Sequence, residues 1–273
     1  MAYTAADVKK LREETDAPMM ECKSALDEAG GDMERAKAIW REKGKVAAGK
    51  RADRATAAGV VAIATSSDKK TVAAVIVECE TDFVAINPDF VAFVNELAEG
   101  FLTNDPANDP NAVTLKGQTV GSMIEQAVGR IRENIKITKA LRKTTSDSFA
   151  TYVHHDRSKG SIIELSGDAG ETGHAVAVQA VAFPPEVVAK EQLSQEKIAA
   201  EIEQETQRAI NDGKPAEMAR NIATGRVNKE FIKQVVLLEQ PFYKDPSKSV
   251  SQYLAETAKG SEIKTCTYLR VGQ

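Results

Sequence analysis

The chain contains 273 residues, of which 42% are hydrophobic and 28% charged, a composition typical of a globular protein large enough for about two domains. Its formal net charge of −4 argues against a dedicated nucleic-acid binder, because such proteins usually carry a basic excess. Cys22, Cys79 and Cys266 are too far apart to indicate a zinc site or a disulfide framework, and no apolar run has the length of a membrane span. We therefore expect a cytoplasmic protein with no membrane partner.

Three short helices are predicted at the N-terminus. Thr4, Pro18 and Asp32 stand where helices begin, and Gly30-Gly31 and Gly44 stand where helices end. A unit of this size is near the lower limit for an independent core, so it should be marginally stable alone. Its expected use is recognition of a partner.

A β-hairpin and a turn follow. Short apolar runs at 60–63 and 71–77, separated by polar residues, predict the two strands, and Asn87-Pro88 predicts the start of an amphipathic helix. Between the strand and the helix, Asp82 stands beside Phe83. Spacing alone favours a Phe83 that packs beneath the following helix, as most loop phenylalanines do, over a Phe83 that projects as an anchor for a partner.

The same order of elements returns in the second half. Strands are predicted at 149–153 and 162–165, a helix at 172–183, and a closing strand at 263–271. The sequence therefore predicts an α+β fold with a duplicated core of two antiparallel-sheet halves. The predicted domains are a three-helix unit with a basic linker, an N-terminal core half and a C-terminal core half, at residues 1–54, 55–145 and 146–273.

A charged, alanine-rich segment interrupts the second half at about residues 191–226. Gly213 stops one predicted helix and Pro215 starts the next. The few apolar residues expected on the facing sides are Ile198, Ile202, Ala209, Met218 and Ile222. So sparse a seam predicts a projecting antiparallel coiled-coil hairpin rather than a part of the core.

Catalytic and nucleotide-binding patterns are missing from the sequence. His154 and His155 share a turn, but no serine, cysteine or carboxylate stands at motif spacing from them, so solvated histidines are the simpler interpretation. Gly44-Lys45, Gly49-Lys50 and Gly213-Lys214 lack the Ser or Thr and the spacing of a phosphate-binding loop. We expect no enzyme, no cofactor, no bound metal and no direct binding of nucleotide.

Several separated segments resemble one family. Thr81-Asp82-Phe83-Val84 after a strand resembles the signature of bacterial elongation factor Ts, the nucleotide-exchange factor of elongation factor Tu, and the segments 15–23, 235–242 and 244–247 are also similar to that family. The resemblance implies that the chain binds the GDP form of elongation factor Tu and promotes GDP release, so that GTP can load. It also implies an N-terminal ubiquitin-associated-like fold and, as in some members, a homodimer through the coiled-coil hairpin.

The resemblance also implies specific partner contacts. Thr81, Asp82, Phe83 and Val84 would intrude beside the magnesium and phosphate-binding region of elongation factor Tu. Other expected contacts are Lys9, Arg12, Met19, Met20, Lys23, Ile131 and His154. Of the two methionines, one is expected to be buried and one to touch the partner. Arg132 departs from the family, because many members have glycine there and glycine permits close backbone approach.

Two other functions remain open from the sequence. The first is a helical adaptor or chaperone-type binding protein that uses the ubiquitin-associated-like head, with the core as a scaffold. The second is a coiled-coil RNA-binding factor that uses the basic linker. In residues 45–54 the only acidic residue is Asp53, and the basic residues are Lys45, Lys50, Arg51 and Arg54. Retention of a GTPase would favour the family function, and RNA binding that falls steeply with salt would favour the last.

Overall fold

The computed structural model describes residues 3–167 and 170–273. It begins with the three predicted helices, α1 (Ala5–Thr15), α2 (Met19–Glu28) and α3 (Met33–Gly49). Thr4 begins α1, as predicted, with a capping box: Thr4 Oγ1 accepts the Asp7 N–H, and the Asp7 carboxylate accepts the Thr4 N–H at 2.7 Å. Asp32 caps α3, whereas Pro18 is the N-cap of α2 rather than its first helical residue.

The first half of the core is a three-stranded antiparallel sheet with helices on one face. Its elements are β1 (Ala58–Thr65), β2 (Thr71–Cys79), α4 (Asp82–Ala85), α5 (Pro88–Phe101), the short strands β3 (Thr114–Leu115) and β4 (Gln118–Thr119), α6 (Val120–Ile131) and β5 (Lys136–Thr144). The strand order is β1-β2-β5, so the second strand of the hairpin is central. Asn87 caps α5 through the Asp89 and Phe90 N–H groups, as predicted.

The second half repeats this topology. Its elements are β6 (Ser148–Val153), β7 (Lys159–Leu165), α7 (Gly170–Ala182), α8 (Gln195–Asn211), α9 (Ala216–Arg226), α10 (Ile232–Val235), β8 (Pro241–Phe242), β9 (Asp245–Ser249), α11 (Val250–Thr257) and β10 (Ile263–Arg270). The sheet order is β10-β7-β6, so the closing strand again pairs with the second strand of a hairpin. The α+β class with antiparallel sheets is therefore confirmed, and the shared strand order is the pattern expected of a duplicated core.

The two sheets pack face to face, with helices on their outer faces. Alternate residues of β2 serve the two sides: Ile76 lies in the cluster that joins the sheets, and Val75 packs with Phe90 of α5. Phe149 and Leu269 of the second sheet complete the inner cluster. This double burial explains why β2 reads as a continuous apolar run instead of an alternating one.

The charged segment forms the predicted antiparallel hairpin of α8 and α9. Its seam is built from Ala209, Ala219 and Ala223, which are fully buried. Met218, predicted to lie in the seam, is 57% exposed, because Ala219 and Ala223 of the same helix occupy the face turned toward α8. The second arm also continues beyond the predicted end at about residue 226, through a π-helical stretch, Val227–Phe231, into α10.

The prediction that Gly44 ends the third helix is wrong, because this glycine serves close packing instead of termination. A Cβ at Gly44 would lie 3.1 Å from the Glu125 carbonyl oxygen, and a Cβ at Gly129 would lie 3.2 Å from the Gly44 Cα. The backbones of α3 and α6 thus touch, and glycine on both sides permits this. The contact docks the three-helix unit on the first half of the core.

Candidate partner-binding surface

Thr81 turns the end of β2 into the start of α4. Its backbone is extended, and its Oγ1 accepts the Val84 N–H at 3.4 Å, which is the geometry of an N-cap. The sequence predicted only a turn here, but Asp82, Phe83 and Val84 all belong to this single helical turn. The helix is too short to be stable by itself, so surrounding contacts must fix it.

Glu133, in the loop after α6, holds the start of α4. Its Oε2 accepts the Glu80 and Thr81 N–H groups, both at 3.0 Å, and its Oε1 accepts the Thr81 hydroxyl at 2.6 Å. In the opposite direction, the Asn134 N–H donates to Glu80 Oε1 at 2.6 Å. The turn and the loop therefore exchange charge-assisted hydrogen bonds, and these are stronger than bonds between neutral groups.

Phe83 projects from this fixed turn into solvent. Its side chain is 78% exposed, so the interpretation that it packs beneath the following helix is wrong. Ile86, three residues later, is 71% exposed and extends the apolar surface. Asp82 between the N-cap and Phe83 is also exposed, and its carboxylate makes no hydrogen bond or ion pair within residues 3–167 and 170–273. Adjacent exposed apolar side chains, unlike single ones, are typical of interaction sites.

Ile131 lies beside this turn. Val84, Phe90 and Ile131 line a cavity of about 170 Å³ between α4, α5 and the end of α6. The next residue, Arg132, adopts the left-handed conformation with φ of 65°, which favours glycine. Its guanidinium lies 3.0 Å from the Glu21 carboxylate of α2, so in this chain the position also contacts the three-helix unit.

The predicted contacts of the three-helix unit α1–α3, called the head below, are all exposed. Lys9 and Arg12 lie one turn apart on α1, and Lys23 lies on α2; all three are exposed. Met19 and Met20 begin α2 and are 47% and 72% exposed, so the prediction that one of them is buried is wrong. The physical reason is that Ala17, Cys22, Ala25 and Leu26 already fill that side of the head core.

His154 belongs to a third location, the turn between β6 and β7. It is half-buried, its Nδ1 lies 3.2 Å from the Tyr152 hydroxyl, and its ring centroid lies 4.3 Å from that of His155. No contact joins His154 to the predicted residues of α4 or of the head within the part of the chain that the structure describes. The structure thus brings residues 81–84 and Ile131 together, whereas the predicted residues of the head lie on α1 and α2 and His154 lies in the turn between β6 and β7.

Comparison with known proteins identifies the family. The family described as Elongation factor TS matches residues 80–273, which include the turn at Thr81 and both sheets' closing strands. This chain belongs to the elongation factor Ts family. Its relatives include the elongation factor Ts proteins of Bordetella petrii (43% identical over 272 residues, 99% of this chain and 91% of the relative) and Chloroherpeton thalassium (41% over 267 residues, 94% and 92%).

The elongation factor Ts of Clostridioides difficile is 39% identical over 277 residues, covering 98% of this chain and 91% of the relative. The relatives therefore span the head as well as the core. Family identity supports a role as a translation elongation factor. The described residues include no group of three or more His, Cys, Asp or Glu side chains that could hold a metal ion. None of the described helices is long and apolar enough to cross a membrane.

Sequence reasoning missed two parts of the candidate surface. Ile86 could have been found from its spacing of three from Phe83, had the helical turn been predicted. Glu133 gave no sequence signal, because it lies 52 residues from Thr81 and meets it only in the folded protein.

Cys79 lies directly beneath this turn and offers a probe of its integrity. Its thiol donates to the Thr81 carbonyl oxygen at 3.2 Å, and burial, with the nearby Glu133 charge, raises its pKa to about 12. We expect iodoacetamide at about pH 8 to modify Cys79 only after unfolding, because the protonated thiol is a poor nucleophile. Peptide mass spectrometry of native and guanidinium-treated protein checks this, and equal rates in both would contradict it.

The same shift predicts a pH dependence of stability. The folded pKa of Cys79 lies above the unfolded value, so its contribution is fully present below about pH 8.5 and is lost as pH rises toward 12.

Proposed function

We propose that this chain binds the GDP form of elongation factor Tu and promotes GDP release by disturbing the partner's magnesium and phosphate-binding site, so that GTP can load. The observation that carries the proposal is Phe83, 78% exposed on a turn held in place by Glu133. Family membership supports elongation factor Tu as the partner. Asp82 beside the ring supplies a carboxylate with no hydrogen bond or ion pair among the described residues.

The mechanism is differential binding. A tightly held guanine nucleotide owes much of its affinity to a magnesium ion and to a cradle around its phosphates. A protein that binds better to the loosened, metal-depleted state shifts the partner toward that state, and linkage requires GDP affinity to fall by the same factor. Phe83 supplies an apolar anchor that becomes desolvated, and Asp82 reorganises nearby polar groups. Neither residue needs to change its protonation state.

The head and the core share the binding in this proposal. The head supplies Met19 and Met20 together with Lys9, Arg12 and Lys23, and the core supplies residues 81–84 with Ile131 and His154. A head of three short helices is too small to carry a whole stable interface, which usually buries about 800 Å² on each partner. The contact between α3 and α6 at Gly44 and Gly129 supports a fixed arrangement of head and core.

The direct test uses elongation factor Tu loaded with labelled GDP. The immobilised full chain should retain this GTPase, and catalytic amounts of the chain in solution should accelerate release of the label in the presence of unlabelled GDP. Failure of either retention or acceleration would contradict the proposal.

A helical adaptor remains the second candidate, and the exposed methionine pair on the head is the observation that favours it. An adaptor would bind its ligand through Met19 and Met20 and would not need Phe83. Binding without any acceleration of GDP release would favour this function. The RNA-binding alternative requires a steep loss of RNA binding with salt.

We expect the outer part of the α8–α9 hairpin to be dispensable for exchange. Arg226 Nη1 lies 3.4 Å from Glu205 Oε2 across the hairpin, so a short Gly/Ser turn replacing residues 206–225 can join the arms at that pair. The buried residues of the removed stretch are alanines that pack within the hairpin, outside the core clusters. GDP release should stay within about twofold of wild type, because such substitutions remove no core contact.

Sedimentation of the same variant tests the hairpin's other proposed role. A homodimer that becomes a monomer when the hairpin is shortened would support self-association through it. Collapse of both folding and GDP release would show that the segment is part of the core rather than a projection.

A further inference from the structure

The loop after α6 holds the start of α4 from two sides. Glu133 receives three donors, the Glu80 N–H, the Thr81 N–H and the Thr81 hydroxyl, while Glu80 receives the Asn134 N–H. Each segment thus offers a carboxylate to the backbone of the other. The four bonds have donor–acceptor distances between 2.6 and 3.0 Å, in the range of good charge-assisted hydrogen bonds.

These four hydrogen bonds between residues 80–81 and 133–134, called the clamp below, are themselves anchored in the surrounding structure. Asn134 is 4% exposed, and its Nδ2 donates to the Ala52 and Arg54 carbonyl oxygens at 3.2 and 2.7 Å. The Arg51 guanidinium donates from Nε to the Arg132 carbonyl oxygen at 3.0 Å. The loop therefore sits between the segment that leaves the head and the turn that carries Phe83, and it cannot shift without breaking bonds to both.

The need for this clamp follows from the size of α4. A single helical turn of four residues has no stability of its own, and neither Asp82 nor Phe83 packs in the core. Val84 and Ala85 pack against the core of the first half, whereas the start of the turn, which carries Asp82 and Phe83, is held by the N-cap Thr81 and through it by Glu133. Exposed side chains position a partner only when their own backbone is rigid.

We propose that Glu133 is a positioning residue for nucleotide exchange: it touches no nucleotide itself but fixes the N-cap of α4, so that Asp82 and Phe83 are presented in one orientation. The inference rests on the proposed exchange function and adds to it a residue outside the Thr81–Val84 signature. Without the Glu133 carboxylate, the turn would still be present but would sample several orientations. Docking through the head would remain.

The test compares Glu133→Ala with wild type in two measurements. Hydrogen–deuterium exchange of the free protein should show faster exchange in the peptide that contains the Glu80 and Thr81 amides, because their acceptor is gone. Stopped-flow GDP release from elongation factor Tu should show a maximal rate that falls by about tenfold or more, since misplacement by a fraction of an ångström is costly. The chain concentration at half-maximal rate should change by less than about threefold, because the head contacts are unchanged.

Two further variants separate positioning from general stability. Glu133→Gln keeps an oxygen able to accept both backbone N–H groups, so it should restore most of the maximal rate. Glu164→Ala is the matched control: Glu164 is also half-buried and accepts the Thr145 and Thr265 hydroxyls at 2.8 and 3.0 Å, but it lies in the second sheet. It should lose stability without losing the maximal rate. If Glu133→Ala does not fold, Glu133→Asp replaces it, because its shorter carboxylate cannot reach all three donors.

The outcomes are distinct. A Glu133→Ala protein that is folded and releases GDP at the wild-type maximal rate would overturn the inference, as would a loss that Glu133→Gln does not restore or that only matches the fraction unfolded. In these cases the wild-type chain still accelerates release, so the proposed function survives. A wild-type chain that does not accelerate GDP release would overturn both the inference and the proposed function. Faster hydrogen–deuterium exchange at Glu80 and Thr81 in Glu133→Ala would then show that Glu133 holds the turn but has no role in nucleotide exchange.

Discussion

Replacing Phe83 with alanine should slow GDP release from elongation factor Tu by about 30-fold, the equivalent of about 2 kcal/mol for an aromatic hot spot. The melting temperature should stay the same, because a ring that is 78% exposed makes little contribution to the core. Stopped-flow release of a fluorescent GDP, measured beside thermal unfolding, gives both quantities. Initial docking should weaken less than the release rate, since the head still binds.

The matched control is Phe183→Ala. Phe183 is also an exposed phenylalanine, at 53%, but it lies at the end of α7 and lines a cavity in the second half of the core. It should leave GDP release nearly normal. Normal release by Phe83→Ala, or slowed release fully explained by unfolding, would show that the ring does not carry the exchange mechanism.

Replacing Met19 and Met20 together with alanine should weaken association with elongation factor Tu by about tenfold or more, because two exposed, adaptable apolar side chains leave the head surface. The maximal rate of GDP release should be close to wild type, because the turn that carries Phe83 is untouched. A titration of release rate against chain concentration separates the two effects.

The control for the methionine pair is Met218→Ala, which removes an exposed methionine from the α8–α9 hairpin. The concentration of Met218→Ala that gives the half-maximal rate of GDP release should match that of wild type. If the double variant also binds like wild type, the head surface does not contact the partner through these residues, and the proposed sharing of the binding between head and core is wrong.

Elements with local signals could be predicted from the sequence. The capping box at Thr4, the cap at Asn87 and the Gly213-Lys214-Pro215 connection all lie within a few residues of the structure they specify, and each is found where expected. The repeated hairpin-and-helix pattern likewise predicted the two antiparallel sheets. Capping residues, turn residues and hydrophobic periodicity were sufficient to predict these features.

Features that depend on distant contacts could not be predicted. Gly44 looks like a helix stop, but its role is set by Gly129 of α6, far along the chain. The exposure of Phe83 depends on how α4 sits against the core, and spacing alone pointed to the opposite result. Glu133 and Asn134 have no motif of their own, because their function exists only when the loop meets Glu80 and Thr81.

Hydrogen bonds also join the core to the segment that leaves the head. The Asn134 side chain donates to the Ala52 and Arg54 carbonyl oxygens, so bonds cross from the core into the linker. Removing residues 1–54 would uncover α6 at Gly129 and leave a buried amide without acceptors, which is costly. Point substitutions on the head surface are therefore a cleaner test of its role than deletion.

The affinity of the wild-type chain for elongation factor Tu should be measured in two states of the partner, nucleotide-free and loaded with GDP and magnesium. We expect the chain to bind the nucleotide-free state more tightly by about tenfold or more. The chain should also lower the affinity of elongation factor Tu for GDP by the same factor, because linkage is reciprocal. Phe83→Ala should reduce that factor. Equal affinity for the two states would contradict the account, because a ligand that does not distinguish two states cannot shift the balance between them.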